Sequence, residues 1–474
     1  MFIVNPFFFK SENAEYFYDD STGIVLPINN EEKNFLVKIG KGTTLQDFNW
    51  NDEQNSIIKK IKKYNLFSYN NPSAIIDVNE SLIKQIIIDG GIGHICLIMT
   101  DECNFRCKYC IFSDHYEYSK HFDKRWMSFE IAKKAIDYYH SINYKSIESN
   151  PNLRPSIGFY GGEPLLCWDT IVKIVEYTKE KFEDYVFSIT TNGLLMDNSK
   201  VKYMLENRFS ISISLDGGQK EHDRNRVDRN NKGTFDRVFN NLLTLHSATE
   251  ARRTQNEEVM PYHILITYDN LTDLKSMNDF FAENKELQDN ILNINKVNNQ
   301  NTDYYKNQST EEILDERNLQ LMKLLKMYQN SMRTGEKNNF LKKLFDGFTM
   351  TCSSKMCYNT NFLRGVCIPG SHKLSIDVEG NFHICEKINP NYTIGNVYTG
   401  FDYEKITQYL KEVLAILDVK CKDCNLKNIC SMCYVHMESD RGFVFNQKLC
   451  NDFKESIGST FGLYYSLLKD QTTN

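Results

Sequence analysis

The chain has 474 residues, which corresponds to about three domains of ordinary size. Hydrophobic residues make up 41% and charged residues 25%, so wholesale disorder is excluded, and a formal net charge of −6 argues against a non-specific nucleic-acid binder. No apolar run approaches the ~20 residues of a membrane span, and the opening MFIVNPFFFK lacks the basic start of a signal peptide. We therefore expect a cytoplasmic protein with no nucleic-acid or membrane partner.

Residues 1–90 differ in pattern from the rest of the chain. Two β-rich runs, Tyr16–Tyr18 and Ile24–Leu26, flank the turn sequence DDSTG, which predicts a hairpin. Helices are predicted over 31–39 and 52–64. A hairpin with short helices is typical of a winged-helix-like binding module, but a plain N-terminal extension that covers the main domain fits equally well.

From residue 94 onward, β-rich runs alternate with amphipathic helical stretches. Strands are predicted over 94–100, 156–160, 186–191, 209–215, 262–268 and 291–297, and helices over 129–143, 168–183, 198–207, 233–247 and 272–284. Alternation of this kind predicts an α/β fold with a parallel sheet. Because six units are too few for a full eight-stranded barrel, we expect an open, partial (β/α)6 TIM-like barrel with its chemistry at the C-terminal strand ends.

The C-terminal part of the chain is predicted as two further regions. Residues 311–350 read as a polar helical connector, and residues 351–474 read as a cysteine-rich domain held by metal rather than by a hydrophobic core. Of the 14 cysteines, nine lie between positions 352 and 450, and three lie between 103 and 110. Clusters of this kind indicate metal binding in a cytosolic protein, whereas the isolated Cys96 and Cys167 read as core residues.

The sequence DECNFRCKYC follows the first predicted strand directly and has the spacing Cys103-x3-Cys107-x2-Cys110. Three soft thiolate ligands on one loop suit an iron–sulfur cluster, and three ligands leave one of four irons open to a small molecule. A zinc site is the alternative, but it would need a fourth ligand at short spacing, and the nearest candidate is His115.

These residues resemble the radical SAM superfamily, whose three-cysteine loop binds a 4Fe–4S cluster. The resemblance implies that the open iron chelates S-adenosylmethionine (SAM), and that one electron then releases a 5′-deoxyadenosyl radical, which abstracts a substrate hydrogen. The cofactor supplies the chemistry and the protein positions it. Tyr109 matches the aromatic residue that packs beside the adenine in that family.

Further matches to the family fall at the ends of successive predicted strands. The segment Gly161-Gly162-Glu163-Pro164 resembles the GGEP motif, which implies that Glu163 and nearby backbone take the methionine amino group and that the glycines allow close approach to a ligand. Segments at the next two strand ends resemble the ribose and carboxylate contacts, and Ser214 and Arg226 match the carboxylate partners best. The residues matched in these segments are Thr191, Asn192, Ser214, Asp216 and Arg226.

The C-terminal cysteines resemble the seven-cysteine SPASM domain, which holds two auxiliary 4Fe–4S clusters and would bring the total to three. The resemblance assigns one set of ligands to an outer cluster: Cys421, Cys424, Cys430 and Cys450. It assigns another set to an inner cluster: Cys367, Cys385 and Cys433, with Cys357 or Cys352 as the fourth ligand. The spacing before Cys433 is two residues where the family usually has three, and an inner cluster without an upstream ligand would have an open iron. The alternative for these cysteines is a zinc ribbon.

Glu386 follows Cys385 directly in the sequence. In some related enzymes a carboxylate at this position acts as a base, because a radical intermediate that is oxidised must lose a proton. An ordinary surface or ion-paired glutamate is the alternative.

The whole arrangement looks most like the maturases of cysteine-rich RiPPs, which link a Cys sulfur to a carbon of another residue in sactipeptides and ranthipeptides. In these enzymes the N-terminal RiPP recognition element binds the leader of a precursor peptide as an added strand. The resemblance therefore divides the chain into a leader-binding domain (1–90), a radical SAM core (91–310), a helical connector (311–350) and a SPASM domain (351–474). It implies a Cys-containing precursor peptide as substrate and a flavodoxin or ferredoxin as reductant.

Several alternatives stay open on the sequence alone. The same scaffold supports carbon–carbon crosslinking, epimerisation, decarboxylation, and the oxidation of Cys or Ser in a sulfatase. Sulfatase maturases generally lack a leader-binding module, so deletion of residues 1–90 separates them from leader-dependent enzymes. A non-catalytic iron–sulfur electron carrier and a zinc-ribbon interaction protein are alternatives of other classes.

Overall fold

The structure, a computed structural model, describes residues 4–12, 14–39, 56–68, 78–118, 120–149, 154–287, 290–345 and 366–471. These residues form two compact units. One unit contains Met1–Asn79, Phe345–Cys367 and Thr407–Asn474, and the other contains Glu80–Leu344 and Ile368–Ile406. The units do not follow the predicted domain limits at 90, 310 and 350. Cys352 and Cys357 lie outside the described residues.

The elements of the described residues are numbered in chain order. The strands are β1 (Phe7–Lys10), β2 (Glu15–Asp19), β3 (Ile24–Ile28), β4 (His94–Thr100), β5 (Ser156–Gly161), β6 (Val186–Thr191), β7 (Phe209–Ser214), β8 (His263–Tyr268), β9 (Ile291–Lys296), β10 (Lys373–Ile376), β11 (Asn381–His383), β12 (Thr393–Asn396) and β13 (Gly400–Phe401). The helices are α1 (Asn30–Ile39), α2 (Ser56–Tyr64), α3 (Glu80–Gly90), α4 (Phe129–Ser149), α5 (Trp168–Lys181), α6 (Asn198–Glu206), α7 (Gln219–Asn225), α8 (Phe235–Thr254), α9 (Leu274–Glu283), α10 (Glu311–Thr334), α11 (Tyr403–Lys420) and α12 (Gln447–Gln471).

The larger unit is built on one ten-stranded sheet with the order β13-β12-β11-β10-β4-β5-β6-β7-β8-β9. Strands β4 to β9 are parallel and adjacent in chain order, which confirms the predicted alternation of strands and helices. The predicted connector is also helical, since α10 begins after the N-cap Thr310 and ends at Gly335, whose φ of 73° suits glycine. The sheet therefore has the open, parallel core expected for a partial barrel.

Strands β10 to β13 extend this sheet beyond β4. β10 is parallel to β4, and β11, β12 and β13 follow as antiparallel neighbours. The sequence predicts that these residues belong to the cysteine-rich domain, whereas they extend the sheet of the larger unit. The local pattern of residues 373–401 does not predict this pairing, because the partner strand β4 lies more than 200 residues earlier in the chain.

The two faces of the parallel sheet differ in polarity. A Cβ placed on Gly193 would meet Ile213 and Val238 of α8, so the face that carries Ile213 lies under the helices. Phe209 shares that face and contacts Phe159 with ring centroids 5.8 Å apart. Side chains alternate along a strand, so the opposite face lines the inside of the barrel. Small polar or unbranched residues predominate there, including Gly158, Ser188, Thr190, Ser210, Ser212 and Ser214.

The smaller unit contains the antiparallel sheet β1-β2-β3. The predicted hairpin is confirmed as β2 and β3, and the predicted helices are confirmed as α1 and α2, although residues 52–55 lie outside the described residues. One face of this sheet packs under α1 and α2 through Phe17, Leu36 and Ile57. The N-terminal residues thus have a hydrophobic core of their own.

The other face of the sheet forms a second core with C-terminal residues, which is called the aromatic core below. Its buried members are Phe9, Tyr16, Tyr18, Leu426, Ile429, Ile457 and Phe461. Hydrogen bonds join the same two segments, from Asn425 Nδ2 to the Pro6 carbonyl at 2.9 Å and from Asn428 Nδ2 to the Asp20 carbonyl at 2.7 Å. The expectation that metal rather than a hydrophobic core holds this region was wrong, because its apolar partners lie about 400 residues away in sequence.

His94 provides a test of the pH dependence of stability. Its Nδ1 lies 2.8 Å from the Ser156 hydroxyl, and its ring occupies the space beside Gly158. Burial, helped by the charge of Lys373, lowers the pKa of His94 to about 4. The unfolded chain takes up this proton near pH 6.5 and the folded chain near pH 4, so stability should fall as pH falls through that window, by about 2 kcal/mol between pH 7.5 and pH 5.

We expect the substitution His94→Asn to make the urea midpoint of unfolding less dependent on pH over this range than it is in the wild type. The exposed His121, whose φ of 52° also suits asparagine, supplies the control His121→Asn. Equal pH dependence in the wild type and in His94→Asn would contradict the prediction.

Candidate active site

The loop after β4 brings three thiols together. Burial, with a smaller contribution from the neighbouring Cys110, raises the pKa of Cys107 to about 12, although Arg226 opposes the rise. Burial likewise raises the pKa of Cys103, with added contributions from Cys107 and Cys110. Metal ligation requires thiolates, so cluster assembly at this loop would release protons.

Hydrogen-bond donors surround these sulfur atoms. The amide of Phe105 donates to Cys103 Sγ at 3.4 Å, the amide of Phe112 donates to Cys110 Sγ at 3.5 Å, and Arg226 Nη1 donates to Cys107 Sγ at 3.9 Å. Bonds of this kind stabilise thiolates and tune cluster potentials. A set of three thiolates, one buried and two partly buried, with such donors fits a 4Fe–4S cluster.

No compact site for a single metal ion is present in the described part of the chain. Within it, no group of three His, Cys, Asp or Glu side chains is placed to hold one metal ion. His115, the nearest candidate for a fourth ligand, instead has its Nδ1 2.7 Å from Asp303 Oδ1.

The two glycines at the C-terminal end of β5, Gly161 and Gly162, allow the chain to approach the cysteine loop closely. Gly161 has a φ of +134°, and a Cβ on Gly162 would lie 2.1 Å from the Glu102 carbonyl oxygen. The amide of Gly162 donates to the Thr100 carbonyl at 2.7 Å. The sequence predicts that these glycines allow the close approach of a ligand. In the structure they allow the close approach of the backbone that leads directly into Cys103.

Glu163 is fully buried and joins two strand ends to each other. It accepts hydrogen bonds from the Thr191 hydroxyl at 2.7 Å, the Asn192 amide at 2.8 Å and the Leu165 amide at 3.0 Å. Burial raises the pKa of Glu163 to about 7, against these bonds, which lower it. Asn192 Nδ2 in turn donates to Asn104 Oδ1 at 2.7 Å, so this network reaches the cysteine loop.

Asp216 organises a second buried network. Its Oδ2 accepts hydrogen bonds from the Tyr109 hydroxyl and from Arg226 Nε, the latter at 2.9 Å, and its Oδ1 accepts from the Thr267 amide at 2.8 Å. The guanidinium of Arg226 lies over the Tyr109 ring, 5.4 Å from its centroid. Among the described residues, the buried Ser214 hydroxyl and Arg226 Nη2 have no hydrogen-bond partner, so both are available to a carboxylate.

The substitution Asp216→Asn should weaken SAM binding at least tenfold. It removes the charge that pairs with the buried Arg226, and an unpaired buried charge costs about 3–5 kcal/mol. Equilibrium binding of SAM to the iron-loaded protein measures the effect. Asp184→Asn, at an exposed carboxylate that pairs with Arg154 and Arg208, is the matched control. Equal affinity in the two variants would contradict this role of Asp216.

Some residues near the cysteine loop were not anticipated from the sequence. The amide of Cys103 donates to Glu102 Oε1 at 2.9 Å, and Arg229 Nη2 lies 2.8 Å from the same oxygen. Arg229 also donates to the Cys103 carbonyl at 2.9 Å. No spacing rule indicates Arg229, whereas alternation along β5 was a usable signal for Tyr160, which faces the inside of the barrel.

The structure brings the predicted outer cysteines together. Burial raises the pKa of Cys421 to about 11, with contributions from the thiols of Cys424 and Cys450. Burial also raises the pKa of Cys430 to about 12, and the same neighbours add to it. Cys424 packs against the aromatic core. The four thiols are therefore electrostatic neighbours, and their assignment as ligands of an outer cluster stays a prediction.

The predicted inner cysteines are distributed over both units. Cys367 and Cys433 lie in the smaller unit, and Cys433 adds to the rise that burial causes in the pKa of Cys367. Cys385 belongs to the larger unit, and Cys357 lies outside the described residues. The ligand set of an inner cluster stays a prediction.

Glu386 forms an ion pair inside the larger unit. Its Oε2 lies 2.7 Å from Lys373 Nζ, and its side chain is 15% exposed. Burial raises the pKa of Glu386, but Lys373 outweighs burial and the net direction is downward. A carboxylate stabilised in its charged form is a weak base, and the predicted role of Glu386 as a base remains untested.

Comparison with known proteins agrees with the site. Residues 97–256 match the Radical SAM superfamily. The radical SAM cyclopropyl synthase TigE of Paramaledivibacter caminithermalis is 23% identical over 91% of this chain and 89% of its own length. A cysteine-type anaerobic sulfatase-maturating enzyme of Clostridium novyi is 29% identical over 31% of this chain and 38% of that enzyme.

A solved structure shares the fold. Native anSMEcpe with bound AdoMet and Cp18Cys peptide superposes with a TM-score of 0.58 at 18% identity, over 80% of this chain and 99% of that one. No helix among the described residues is both long and apolar enough to cross a membrane. Residues 97–256 are therefore similar to the Radical SAM superfamily, a resemblance that implies SAM and a 4Fe–4S cluster as cofactors.

Proposed function

We propose that this protein is a radical SAM maturase of a ribosomally made, Cys-containing precursor peptide and that it forms a thioether from a Cys sulfur to a carbon. The observation that carries the proposal is the three-thiol loop, together with the Ser214 hydroxyl and Arg226 Nη2, which have no hydrogen-bond partner among the described residues. When bound, the cluster and SAM would supply a 5′-deoxyadenosyl radical that takes a hydrogen atom from the peptide. Formation of the thioether would then release the proton of the Cys thiol, and an auxiliary 4Fe–4S cluster would accept the remaining electron. The chain's own residues would hold SAM and exclude water from it.

A peptide substrate is supported by the proteins that this chain resembles. The solved structure with the same fold holds a peptide beside AdoMet, and the sulfatase-maturating relative acts, by its name, on a protein. Fold-level similarity alone does not fix a reaction, so these relatives support the substrate class and not the bond that forms.

The N-terminal sheet offers a place for a leader peptide. β3 pairs with β2 on one side, and no strand pairs with its other side among the described residues. A free strand edge binds an extended peptide through backbone hydrogen bonds and tolerates varied sequence. We propose that this sheet acts as the RiPP recognition element and that the leader adds to β3.

A second reaction is favoured by one comparison. The relative that aligns along most of this chain is named a cyclopropyl synthase, which describes closure of a three-membered carbon ring. Formation of such a ring and formation of a thioether both remove two hydrogens from the substrate. The two reactions differ in whether a Cys thiol is consumed.

Mass spectrometry of the precursor peptide encoded beside the gene tests the proposal. The iron-loaded protein is incubated anaerobically with SAM, a flavodoxin or ferredoxin reductant and the peptide, and the products are alkylated. A loss of two hydrogens with one Cys protected from alkylation supports the thioether. The same loss with every Cys alkylated favours ring closure. A mass that is unchanged in ordinary water but rises in deuterated solvent indicates epimerisation. SAM cleavage without any peptide change would contradict the peptide substrate.

A further inference from the structure

Tyr160 is the large aromatic side chain on the inner face of β5. It alternates with Ile157 and Phe159, which are buried on the helix-covered face, and it shares the inner face with Gly158. It aligns with Ile98 of β4 and directly precedes Gly161 and Gly162. Because those glycines lie tightly against the backbone of the cysteine loop, the position of Tyr160 along the barrel axis is fixed relative to that loop.

The Tyr160 hydroxyl is surrounded by charged or ionisable groups but bonded to none of them. The side chain is mostly buried, and its hydroxyl has no hydrogen-bond partner among the described residues. Burial raises the pKa of Tyr160, the charges of Glu386, Cys110 and Cys96 add to the rise, and Arg226 opposes it. Glu386, the cysteine loop and Arg226 are therefore electrostatic neighbours of the Tyr160 side chain.

The inner-face residues level with Tyr160 on the next two strands are small, namely Thr190 of β6 and Ser212 of β7. Glu386, an electrostatic neighbour of Tyr160, forms an ion pair with Lys373 at 2.7 Å. The Tyr160 side chain is partly exposed, and its hydroxyl has no acceptor among the described residues, so it is free to donate to an acceptor on the substrate.

We propose that the Tyr160 hydroxyl donates a hydrogen bond to a backbone carbonyl of the bound peptide, at the residue that gives up its hydrogen atom. This inference rests on the proposed peptide substrate and adds a residue that sets its position. Tyr160 acts as a positioning residue, because it holds the peptide at the inner face of β5, next to the glycines that contact the cysteine loop, and takes no part in bond breaking. A substrate held about 1 Å out of place reacts far more slowly, while SAM cleavage continues.

The substitution Tyr160→Phe removes only the hydroxyl and tests the inference. We expect the number of 5′-deoxyadenosine molecules formed per peptide modified to rise at least fivefold, with SAM affinity within twofold of the wild type. Tyr185→Phe is the matched control, since Tyr185 packs on Phe187 of the helix-covered face. That variant should keep the wild-type ratio, and the absorbance of the iron-loaded proteins checks that all three are folded.

Three results would count against the inference. An unchanged ratio and an unchanged KM for the peptide in Tyr160→Phe would overturn it, because a positioning bond cannot be lost without effect. A loss of SAM affinity equal to the loss of peptide modification would overturn it as well, since Tyr160 would then contact SAM. A wild-type protein that modifies no peptide would refute the proposed function itself and this inference with it.

Discussion

Replacement of Gly162 by alanine is expected to reduce SAM-dependent activity at least about 100-fold. The added Cβ would lie 2.1 Å from the Glu102 carbonyl oxygen and 2.5 Å from its carbonyl carbon, which are backbone atoms that cannot rotate away. The loop that carries Cys103 must shift, and a displacement of about 1 Å at a reacting centre costs on the order of 100-fold. Iron content, the electron paramagnetic resonance of the reduced cluster and SAM affinity report the effect.

Gly90→Ala is the matched control for this experiment. Gly90 lies at the end of α3 in the same compact unit, and an added Cβ there would meet no atom within 4 Å. The control should retain wild-type iron content and SAM affinity. If Gly162→Ala also retained them, the close contact between β5 and the cysteine loop would not matter for cluster binding.

Deletion of residues 1–79 is expected to disrupt the C-terminal cysteine region as well as any leader binding. The deletion removes Phe9, Tyr16 and Tyr18, which cover Ile457 and Phe461 in the aromatic core. Each large apolar side chain that becomes exposed lowers the stability by roughly 1.5–3 kcal/mol, and the deletion exposes several of them at once. The deleted chain should bind less iron and become sensitive to protease between α11 and α12, whereas residues 80–344 should remain resistant.

A point variant separates packing from peptide binding in that experiment. Val37 of α1 is 60% exposed, so Val37→Ala should leave iron content and protease resistance unchanged. Phe461→Ala leaves the N-terminal sheet in place but removes its C-terminal contact, and it should reproduce the protease sensitivity. An intact cysteine region in the deleted chain would show that the aromatic core is dispensable.

Because the deletion is expected to remove packing as well as leader binding, loss of activity on deletion does not by itself separate leader-dependent enzymes from sulfatase maturases.

Local pattern was enough to predict the parallel core. Strands such as Val186–Thr191 and helices such as Trp168–Lys181 follow from alternation and from a 3.6-residue period, which depend on neighbours within a few residues. The cysteine loop followed from ligand spacing, and its placement at a strand end followed from the fold class. Each of these features depends only on residues within a short stretch of the sequence.

Features that depend on distant partners could not be predicted in this way. The pairing of β10 with β4 and the aromatic core both join segments hundreds of residues apart, and one sequence carries no record of such pairings. The site shows the same limit in Thr191, Asn192 and Asp216. The motif identified them as cofactor contacts, but their bonds to Glu163, Asn104 and Arg226 depend on how separate loops meet.

The aromatic core also has a consequence for synthesis of the chain. Asp20 and its partner Asn428 are separated by 408 residues, so a ribosome that adds about 5–20 residues per second needs about 20 to 80 seconds to complete the pair. During that time Phe9, Tyr16 and Tyr18 have been made, but the helix that covers them has not. Exposed aromatic strands of this kind favour aggregation. Production of this protein should therefore depend on chaperones or on slow expression at low temperature, because its first strands are among the last to be covered.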